Sequence, residues 1–555
     1  MPQFPKNELA QILIASCVAR DIHHIVISPG SRNAPLTIGF SNHPNTKTYS
    51  IVDERSAAFF ALGMAQQLQK PVAIVCTSGS ALLNYYPAIS EAYYSDIPLV
   101  VISADRPKHL INIGDGQTIM QENVFGNHIL FGANLKEDSN ISVNLNDIEK
   151  ALNISITNRG PVHINIPLDE PLYEISEKIV QYNSSNSQLV EDTSFLNTLN
   201  EYAEEWNSAS KKMILVGQHF PNSELQEFLE KIVEDPSVLV LIENTANVSH
   251  SKFINSIDKL IFPFEKSDEM EAFQPDILLS IGGLVVSKKI KQHLRKYQPT
   301  KHWHVDTKKA LDTFLCLNHH IKATPVSFFH HFLKKVKPVK SDYQCFWLRK
   351  KALRLKKHYE FLNACVYSDL KVFETVLKSI PEKSHIQFSN SSVIRYSQLF
   401  DIDKSVTIFC NRGTSGIDGS TSTAIGAATI TNKNTVFVTG DISFFYDSNA
   451  LWNAYIPSNF KIILINNGGG GIFRFIPGPQ KTNALDYFET PHNLTAKHLC
   501  KMFNLNYTVA NNLNDLNNKL KLFFKDSEKP GVLEIFTPQK ENDKVLKTYF
   551  NNLKE

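Results

Sequence analysis

Short apolar runs rich in Val and Ile alternate from end to end with stretches of helical character, the pattern of α/β domains built on parallel sheets. Three blocks of such runs are visible. The first holds His24-Ile25-Val26-Ile27, Tyr49-Ser50-Ile51-Val52, Val72-Ala73-Ile74-Val75-Cys76, Leu99-Val100-Val101-Ile102 and Val162-His163-Ile164-Asn165-Ile166, and closes near Pro171. The second holds Met213-Ile214-Leu215-Val216, Val238-Leu239-Val240-Leu241-Ile242 and Ile277-Leu278-Leu279-Ser280-Ile281. The third holds Ile386-Gln387-Phe388, Val406-Thr407-Ile408-Phe409, the runs 435–439 and 461–465, and Val532-Leu533-Glu534-Ile535-Phe536. The polar stretch Asn183-Ser184-Ser185-Asn186-Ser187-Gln188 and the basic, Pro-containing segment from Lys334 to Asp342 read as linkers. The predicted domains are therefore residues 1–180, 188–335 and 350–555.

The most informative chemistry lies in the third block. Thr435-Val436-Phe437-Val438-Thr439 ends in Gly440-Asp441, and Lys461-Ile462-Ile463-Leu464-Ile465 ends in Asn466-Asn467. Between them, residues 449–455 read as a helix ended by Pro457, so the whole is a βαβ unit with neighbouring strands. Asp441 and Asn467 can then meet over one ligand. A carboxylate with an amide oxygen is a hard, incomplete shell that suits Mg²⁺, which takes its other ligands from water and phosphate. Gly468-Gly469-Gly470-Gly471 follows at once, and glycines let backbone groups approach a diphosphate closely.

Composition narrows the alternatives. At 555 residues, the chain is long enough for about three to four domains. Lys and Arg number 57 against 55 Asp and Glu, so bulk charge points to neither nucleic acid nor an anionic membrane, and anion binding must be local. The first residues lack the apolar core of a signal peptide, and no apolar stretch approaches the ~20 residues needed to span a bilayer. A soluble cytoplasmic protein is expected. Seven scattered cysteines without a Cys-x-x-Cys pair argue against disulfides and zinc. The pairs His23-His24, His319-His320 and His330-His331 lack flanking ligands and read as packing or surface residues.

The first block carries a polar turn after each of its first four runs. These are Ser28-Pro29-Gly30-Ser31-Arg32-Asn33-Ala34-Pro35, Asp53-Glu54-Arg55, Thr77-Ser78-Gly79-Ser80-Ala81 and Ala104-Asp105-Arg106-Pro107. Open parallel sheets bind ligands at this carboxyl edge. Taken alone, Glu54 reads as a first-turn helix carboxylate behind an Asp53 N-cap.

Together with Asn411-Arg412-Gly413-Thr414-Ser415-Gly416-Ile417-Asp418-Gly419, these motifs resemble those of thiamine-diphosphate enzymes. The resemblance runs along essentially the whole chain and is closest to the 2-succinyl-5-enolpyruvyl-6-hydroxy-3-cyclohexene-1-carboxylate synthase family of menaquinone biosynthesis. It implies three doubly wound parallel-sheet domains: pyrimidine-binding, central, and diphosphate/Mg-binding. It further implies decarboxylation of 2-oxoglutarate and conjugate addition of the succinyl carbanion equivalent to isochorismate, in a homodimer or homotetramer whose active sites lie between subunits. Glu54 would then be catalytic, hydrogen-bonding the aminopyrimidine and promoting the imino form that deprotonates the thiazolium. Asp441, Asn467 and the Gly469 carbonyl would hold Mg²⁺ or Mn²⁺. Pro29, Ser391, Ile417, Gly440, Ser443, Gly471 and Ile472 would line the cofactor. The substrate carboxylates would meet Arg32, Arg106, Arg395, Arg412 and Lys288, with Ser31, Gln117 and Ser391 adding neutral hydrogen bonds, since buried carboxylates need fixed cationic partners.

The chain departs from the family pattern at three places: Ile442-Ser443 follows Gly440-Asp441, Gly468 replaces a frequent Asn, and Lys289 stands where Arg is usual. Val216-Gly217-Gln218-His219 lacks a dinucleotide-binding glycine pattern, so no flavin is expected. An acetolactate synthase or simple 2-oxo acid decarboxylase would share the cofactor motif but would not need so many arginines. A noncatalytic relative would have no need to keep Glu54, Asp441 and Asn467 together.

Overall fold

The computed structural model describes residues 3–137, 139–178, 192–264, 267–525 and 527–554, so the polar stretch at 183–188 lies outside the described residues. In chain order the strands are β1 (Phe4–Pro5), β2 (His24–Ile27), β3 (Lys47–Ser50), β4 (Val72–Cys76), β5 (Leu99–Asp105), β6 (Phe131–Asn134), β7 (Val162–Pro167) and β8 (Ile175–Ser176). Next come β9 (Lys212–Val216), β10 (Val238–Ile242), β11 (Ile277–Ile281), β12 (Lys301–Val305) and β13 (His319–Ile321). The last set is β14 (His385–Phe388), β15 (Thr407–Cys410), β16 (Thr435–Gly440), β17 (Phe460–Asn466), β18 (Asn506–Ala510) and β19 (Gly531–Phe536).

These form three parallel sheets and one small antiparallel ribbon, β1 with β8. The first sheet runs β3-β2-β4-β5-β7-β6, the middle one β10-β9-β11-β12-β13, and the third β15-β14-β16-β17-β19-β18. The α/β architecture expected from the sequence is present. Counted within each domain, the first and third sheets have the same strand order, a kinship that no sequence repeat betrays. In both, the order reverses between the first and third strands of the sheet, β2 and β4 or β14 and β16, and such a reversal opens a crevice at the carboxyl edge.

Central strands such as β5, β11 and β17 are apolar runs buried at nearly every position, because helices cover both faces of each sheet. The hydrophobic pattern missed both strands of the small ribbon, β1 and β8, and, in the parallel sheets, β6, β12, β13 and β18. β6, β13 and β18 are short or half-exposed edge strands, and β12 carries Lys301, His302 and His304 among its apolar residues. The crossover after β16 also differs from expectation. Its helix is Asp441–Tyr446, followed by a 3₁₀ turn at Ser448–Leu451, so Asp441 opens a helix directly where the strand ends.

Two helices join the first and third domains. Glu54–Leu68 is buried from Ser56 through Gln66, and Ser420–Ile430 from Ser420 through Ala428. Their side chains share one core that includes Phe60, Ile425, Phe437 and Leu464. The two backbones nearly touch. A Cβ on Gly63 would lie 2.0 Å from the Thr423 carbonyl oxygen, and one on Gly426 would lie 2.0 Å from that of Phe60. Tyr343–Ala364 bridges the other domains, with Trp347 in a middle-domain core and Leu362 in a third-domain core. No helix among the described residues is long and apolar enough to cross a membrane.

Gly426→Ala forces this helix pair apart and is expected to destabilise the protein by about 1–3 kcal/mol. Gly116→Ala, at a position with nothing within 4 Å of the new methyl, should leave the urea midpoint unchanged. Denaturation of both variants alongside the wild type checks this.

Candidate active site

The register of the third sheet brings the strand-end oxygens together. Gly440 pairs with Ile465, so Asp441 and Asn466-Asn467 emerge side by side. Asp441 is 3% exposed. Its Oδ2 accepts the N–H groups of Gly468 at 2.8 Å and Gly469 at 3.0 Å, and its Oδ1 accepts its neighbour Ile442 N–H at 2.7 Å. His492 Nε2 lies 3.4 Å from Oδ2. The backbone at Gly468 and Gly469 has φ of +76° and +151°, values that favour glycine and fold the loop back over the carboxylate.

The two asparagines have different tasks. Asn466 donates from Nδ2 to Leu494 O at 2.9 Å and to Glu534 Oε1 at 2.8 Å, and accepts from Gly468 N–H at 3.1 Å. It braces the loop. Asn467 donates from Nδ2 to Asp369 Oδ2 at 3.0 Å, while its Oδ1 is buried without a hydrogen-bond partner. A buried acceptor left free beside a carboxylate is what an oxygen-preferring divalent cation would satisfy, so the residues fit such an ion. Among the described residues no cluster of three His, Cys, Asp or Glu could hold a metal. An ion here would therefore need further oxygens, such as those of a diphosphate. The Gly469 carbonyl accepts Gly471 N–H at 2.9 Å, with a second lone pair left over. Burial pushes the Asp369 carboxyl up to about 6, with bonds from Thr537 and Asn467 opposing and the nearby Asp441 charge adding to the rise.

Around this point the other third-domain candidates converge. Ser443 Oγ donates to the Ile417 carbonyl at 3.0 Å, tying the helix of Asp441 to the loop after β15. Gly471 and Ile472 open the short helix Ile472–Phe475 beyond the glycine run. Ser391 caps Ser392–Ser397 with φ of 69° and ψ of −129°, a conformation that costs a non-glycine residue energy and is typical of functional sites. Beside it, Asn390 donates to the carbonyls of Asn411 and Gly416, both at 2.7 Å, and accepts from Arg412 Nη1 at 2.7 Å.

Arg412 and Arg395 share a charged cluster with the middle domain. Burial lowers the Arg395 pKa, as does the Arg412 charge, against the pull of Asp258 and Glu243. Burial raises Glu243 to about 7 although it accepts the N–H groups of Val286 and Ser287. Lys291 belongs to this cluster, lowered by burial and influenced by Glu243, Arg412 and Arg395, and Lys289 acts with it on Asp258. Lys288, the candidate from sequence, stands exposed at the start of Lys288–Lys296. Arg412 also lines a cavity of about 300 Å³ at the carboxyl edge of the middle sheet, where Lys308 and Lys309 are paired with Asp96.

The remaining candidates sit on the first sheet. Pro29 and Ser31 are exposed on the loop after β2. Arg32 is buried and donates to Leu168 O at 2.8 Å, with Glu170 at 3.4 Å. Arg106 reaches Gly116 O at 3.1 Å, beside the exposed Gln117. Arg32, Arg395 and Arg412 each keep a buried Nε without a hydrogen-bond partner, as does Arg55, while Arg106 Nε lies 3.6 Å from Asp115 Oδ2; Thr77 and Ser78 hold buried hydroxyls without a hydrogen-bond partner. Asp53 caps the helix of Glu54 by accepting Ser56 N–H at 3.0 Å, and Glu54 Oε2 accepts from Asn84 Nδ2 at 3.3 Å. Asp53 and Arg55 are both clamped to the third domain, through Asn449 at 2.7 Å and the Tyr446 carbonyl at 2.9 Å. Among the described residues no hydrogen bond or ion pair joins Glu54, Ser31, Arg32, Arg106 or Gln117 to Asp441, Asn467, Arg395 or Arg412.

Sequence reading passed over Asp369, Lys291 and Glu91. Glu91 is 1% exposed and crosses from the first domain to the Arg412 loop. It accepts the N–H groups of Gly413 and Thr414, both at 2.7 Å, and the Thr414 hydroxyl at 2.9 Å.

Two family models match the chain: the thiamine pyrophosphate enzyme N-terminal TPP binding domain over residues 7–129, and the corresponding C-terminal TPP binding domain over residues 391–535. With the three parallel sheets and the strand-end site, they define a thiamine-diphosphate enzyme. Whole-length relatives narrow the class. The 2-succinyl-5-enolpyruvyl-6-hydroxy-3-cyclohexene-1-carboxylate synthase of Flavobacterium johnsoniae is 55% identical over 553 residues, covering 99% of this chain and 100% of that protein. Those of Flavobacterium psychrophilum and Christiangramia forsetii are 54% and 52% identical, covering 99% and 100% of this chain and 100% of each relative. The chain belongs to the 2-succinyl-5-enolpyruvyl-6-hydroxy-3-cyclohexene-1-carboxylate synthase family.

Glu91→Ala leaves the part-buried Gly413 and Thr414 amides without their charged acceptor, a loss of about 1–3 kcal/mol. Hydrogen exchange at these two amides is expected to accelerate relative to the wild type, whereas exchange in the middle sheet stays unchanged.

Proposed function

We propose that this chain catalyses the decarboxylation of 2-oxoglutarate and the conjugate addition of the remaining four-carbon unit to isochorismate, giving 2-succinyl-5-enolpyruvyl-6-hydroxy-3-cyclohexene-1-carboxylate and CO₂ in menaquinone biosynthesis. The observation that carries the reading is the end-to-end similarity to synthases of that name. Thiamine diphosphate, when bound, supplies the electron sink for both steps. Asp441, Asn467 Oδ1 and the Gly469 carbonyl would hold Mg²⁺, or Mn²⁺ in its place, against the diphosphate. Pro29, Ser391, Ile417, Gly440, Ser443, Gly471 and Ile472 would line the rest of the cofactor site.

The Glu54 carboxyl would carry the proton exchanged with the pyrimidine ring. Both substrates are polyanions, and a buried carboxylate is stable only against fixed, bidentate donors. The buried Nε atoms of Arg32, Arg395 and Arg412, which lack hydrogen-bond partners, support that role; Arg106, paired with Asp115, would join them, with Lys288, Ser31, Gln117 and Ser391 as further contacts. Lys291 joins the list through its place beside Arg395 and Arg412.

The residues on the first sheet and those on the third would belong to one site completed by a second copy of the chain. The clamping of Asp53 and Arg55 to their own third domain supports this, because it commits that contact to holding the chain together. Exposed Val52, Leu83, Tyr446 and Trp452 supply apolar surface for a homodimer or dimer of dimers. All seven cysteines are free, which suits the reducing cytoplasm.

The deciding assay follows isochorismate with thiamine diphosphate, Mg²⁺ and either 2-oxoglutarate or pyruvate. Rapid loss with 2-oxoglutarate alone is expected; CO₂ release from pyruvate without isochorismate loss would move the chain to another branch of the cofactor class. Glu54→Gln should retain the fold, measured by circular dichroism, and lose about 10²–10⁴-fold in turnover. Wild-type turnover in that variant would remove Glu54 from the mechanism.

A further inference from the structure

The two ends of the Asn467 amide have nearly the same shape and opposite polarity, so something must decide which end faces a cation. Asp369, the first residue of the helix Asp369–Ser379, is placed to do so. An ionised carboxylate only accepts hydrogen bonds, so it can face the NH₂ end of the amide and not the oxygen end. Its Oδ2 accepts Asn467 Nδ2 at 3.0 Å, which leaves Asn467 Oδ1 buried and unpartnered.

The carboxylate is itself fixed. Oδ1 accepts the Thr537 hydroxyl at 2.6 Å, just beyond β19, and the Asp369 N–H donates to Asn542 Oδ1 at 2.8 Å. Asn542 Nδ2 lies 3.5 Å from Thr537 Oγ1, closing the group on itself. Asp369 is 3% exposed, so water does not compete strongly for its oxygens. We propose that Asp369 is a positioning residue for the ion ligand Asn467, turning the amide so that its oxygen, and not its nitrogen, is presented to the divalent cation. The inference rests on the reading that Asp441 and Asn467 hold that ion. The alternative task for Asp369 is to stabilise the amino-terminal turn of its own helix.

The test is Mn²⁺ affinity in the presence of thiamine diphosphate, read from the free-ion electron paramagnetic resonance signal of the full-length protein. Asp369→Ala is expected to weaken Mn²⁺ binding about 10–100-fold, the range for residues that orient a metal ligand. Asp369→Asn should keep most of the affinity, because its amide oxygen can still accept from Asn467 and its NH₂ can donate to Thr537.

The decisive background is Asn467→Asp, whose two like oxygens need no orienting. There, no orientation is left to lose, and Asp369→Ala should weaken Mn²⁺ binding by a much smaller factor than in the wild type, that of losing one nearby negative charge. Weakening by the same factor in both backgrounds would make Asp369 a helix-terminus residue only and overturn the proposal. Should Asp369→Ala fail to fold, Thr537→Val frees the carboxylate while keeping it and should weaken binding by a smaller factor; unchanged binding there would count against the proposal. Asn467→Ala separates the premise from the inference. Wild-type affinity in that variant would remove Asn467 as a ligand, whereas weakened binding there with unchanged Asp369→Ala would leave the ligand and dismiss its orienting partner.

Discussion

The parallel register that sets Gly440 beside Ile465 is the constraint on which the rest of the site depends. Neighbouring strands lie about 4.8 Å apart, so residues leaving two such strands at the same level are already within reach of one small ligand. Here they are a carboxylate and an amide. The glycine run then supplies backbone N–H groups that fold onto Asp441, and the Ser443 hydroxyl draws the Ile417 loop to the same place. A shift of one residue in either strand would turn Asp441 or Asn467 to the other face of the sheet. The geometry therefore belongs to the sheet, and the loops complete it.

The same topology serves twice. The first and third sheets share a strand order, and each presents polar loops where that order reverses. Ser28–Arg32 and Thr77–Ala81 lie at the reversal in the first sheet, and Asn390-Ser391 and Gly440-Asp441 in the third. The two domains are locked together by a helix pair in backbone contact, with Gly63 and Gly426 at the crossing. Glu91 carries the same coupling to the Arg412 loop, so the first domain places groups that lie in the third. Rigid elements thus hold the candidate donors, which is what a site built to bind charge requires.

Much of this was legible in the sequence because its signals are local. Buried strands such as β5, β11, β16 and β17 are mostly apolar runs, and Asp441 and Asn467 declare themselves by standing at the ends of the last two. What was not legible depends on distant partners or exposed surfaces. β12 reads Lys-His-Trp-His-Val, and its His302 and His304 are accommodated by Ser280 of the neighbouring strand, a pairing invisible along the chain. Asp369 reaches Asn467 across 98 residues, and Glu91 reaches Gly413 across 322. Lys288 and Lys291 look alike in sequence, and only the helix orientation sinks the second beside Arg395 and Arg412. The crossover helix was expected near Trp452 because Pro457 looked like its end; it begins instead at Asp441, where the strand stops and the carboxylate suits a helix amino terminus.

The proposed ion site sets oxygen ligands from the ends of β16 and β17 around one divalent ion. The most direct measurement is anomalous diffraction at the manganese edge from crystals grown with thiamine diphosphate and Mn²⁺. One dominant peak is expected about 2.0–2.3 Å from an Asp441 carboxylate oxygen and from Asn467 Oδ1, with the diphosphate completing the shell. A peak held by His492 without Asn467, or one remote from both strand ends, would contradict it.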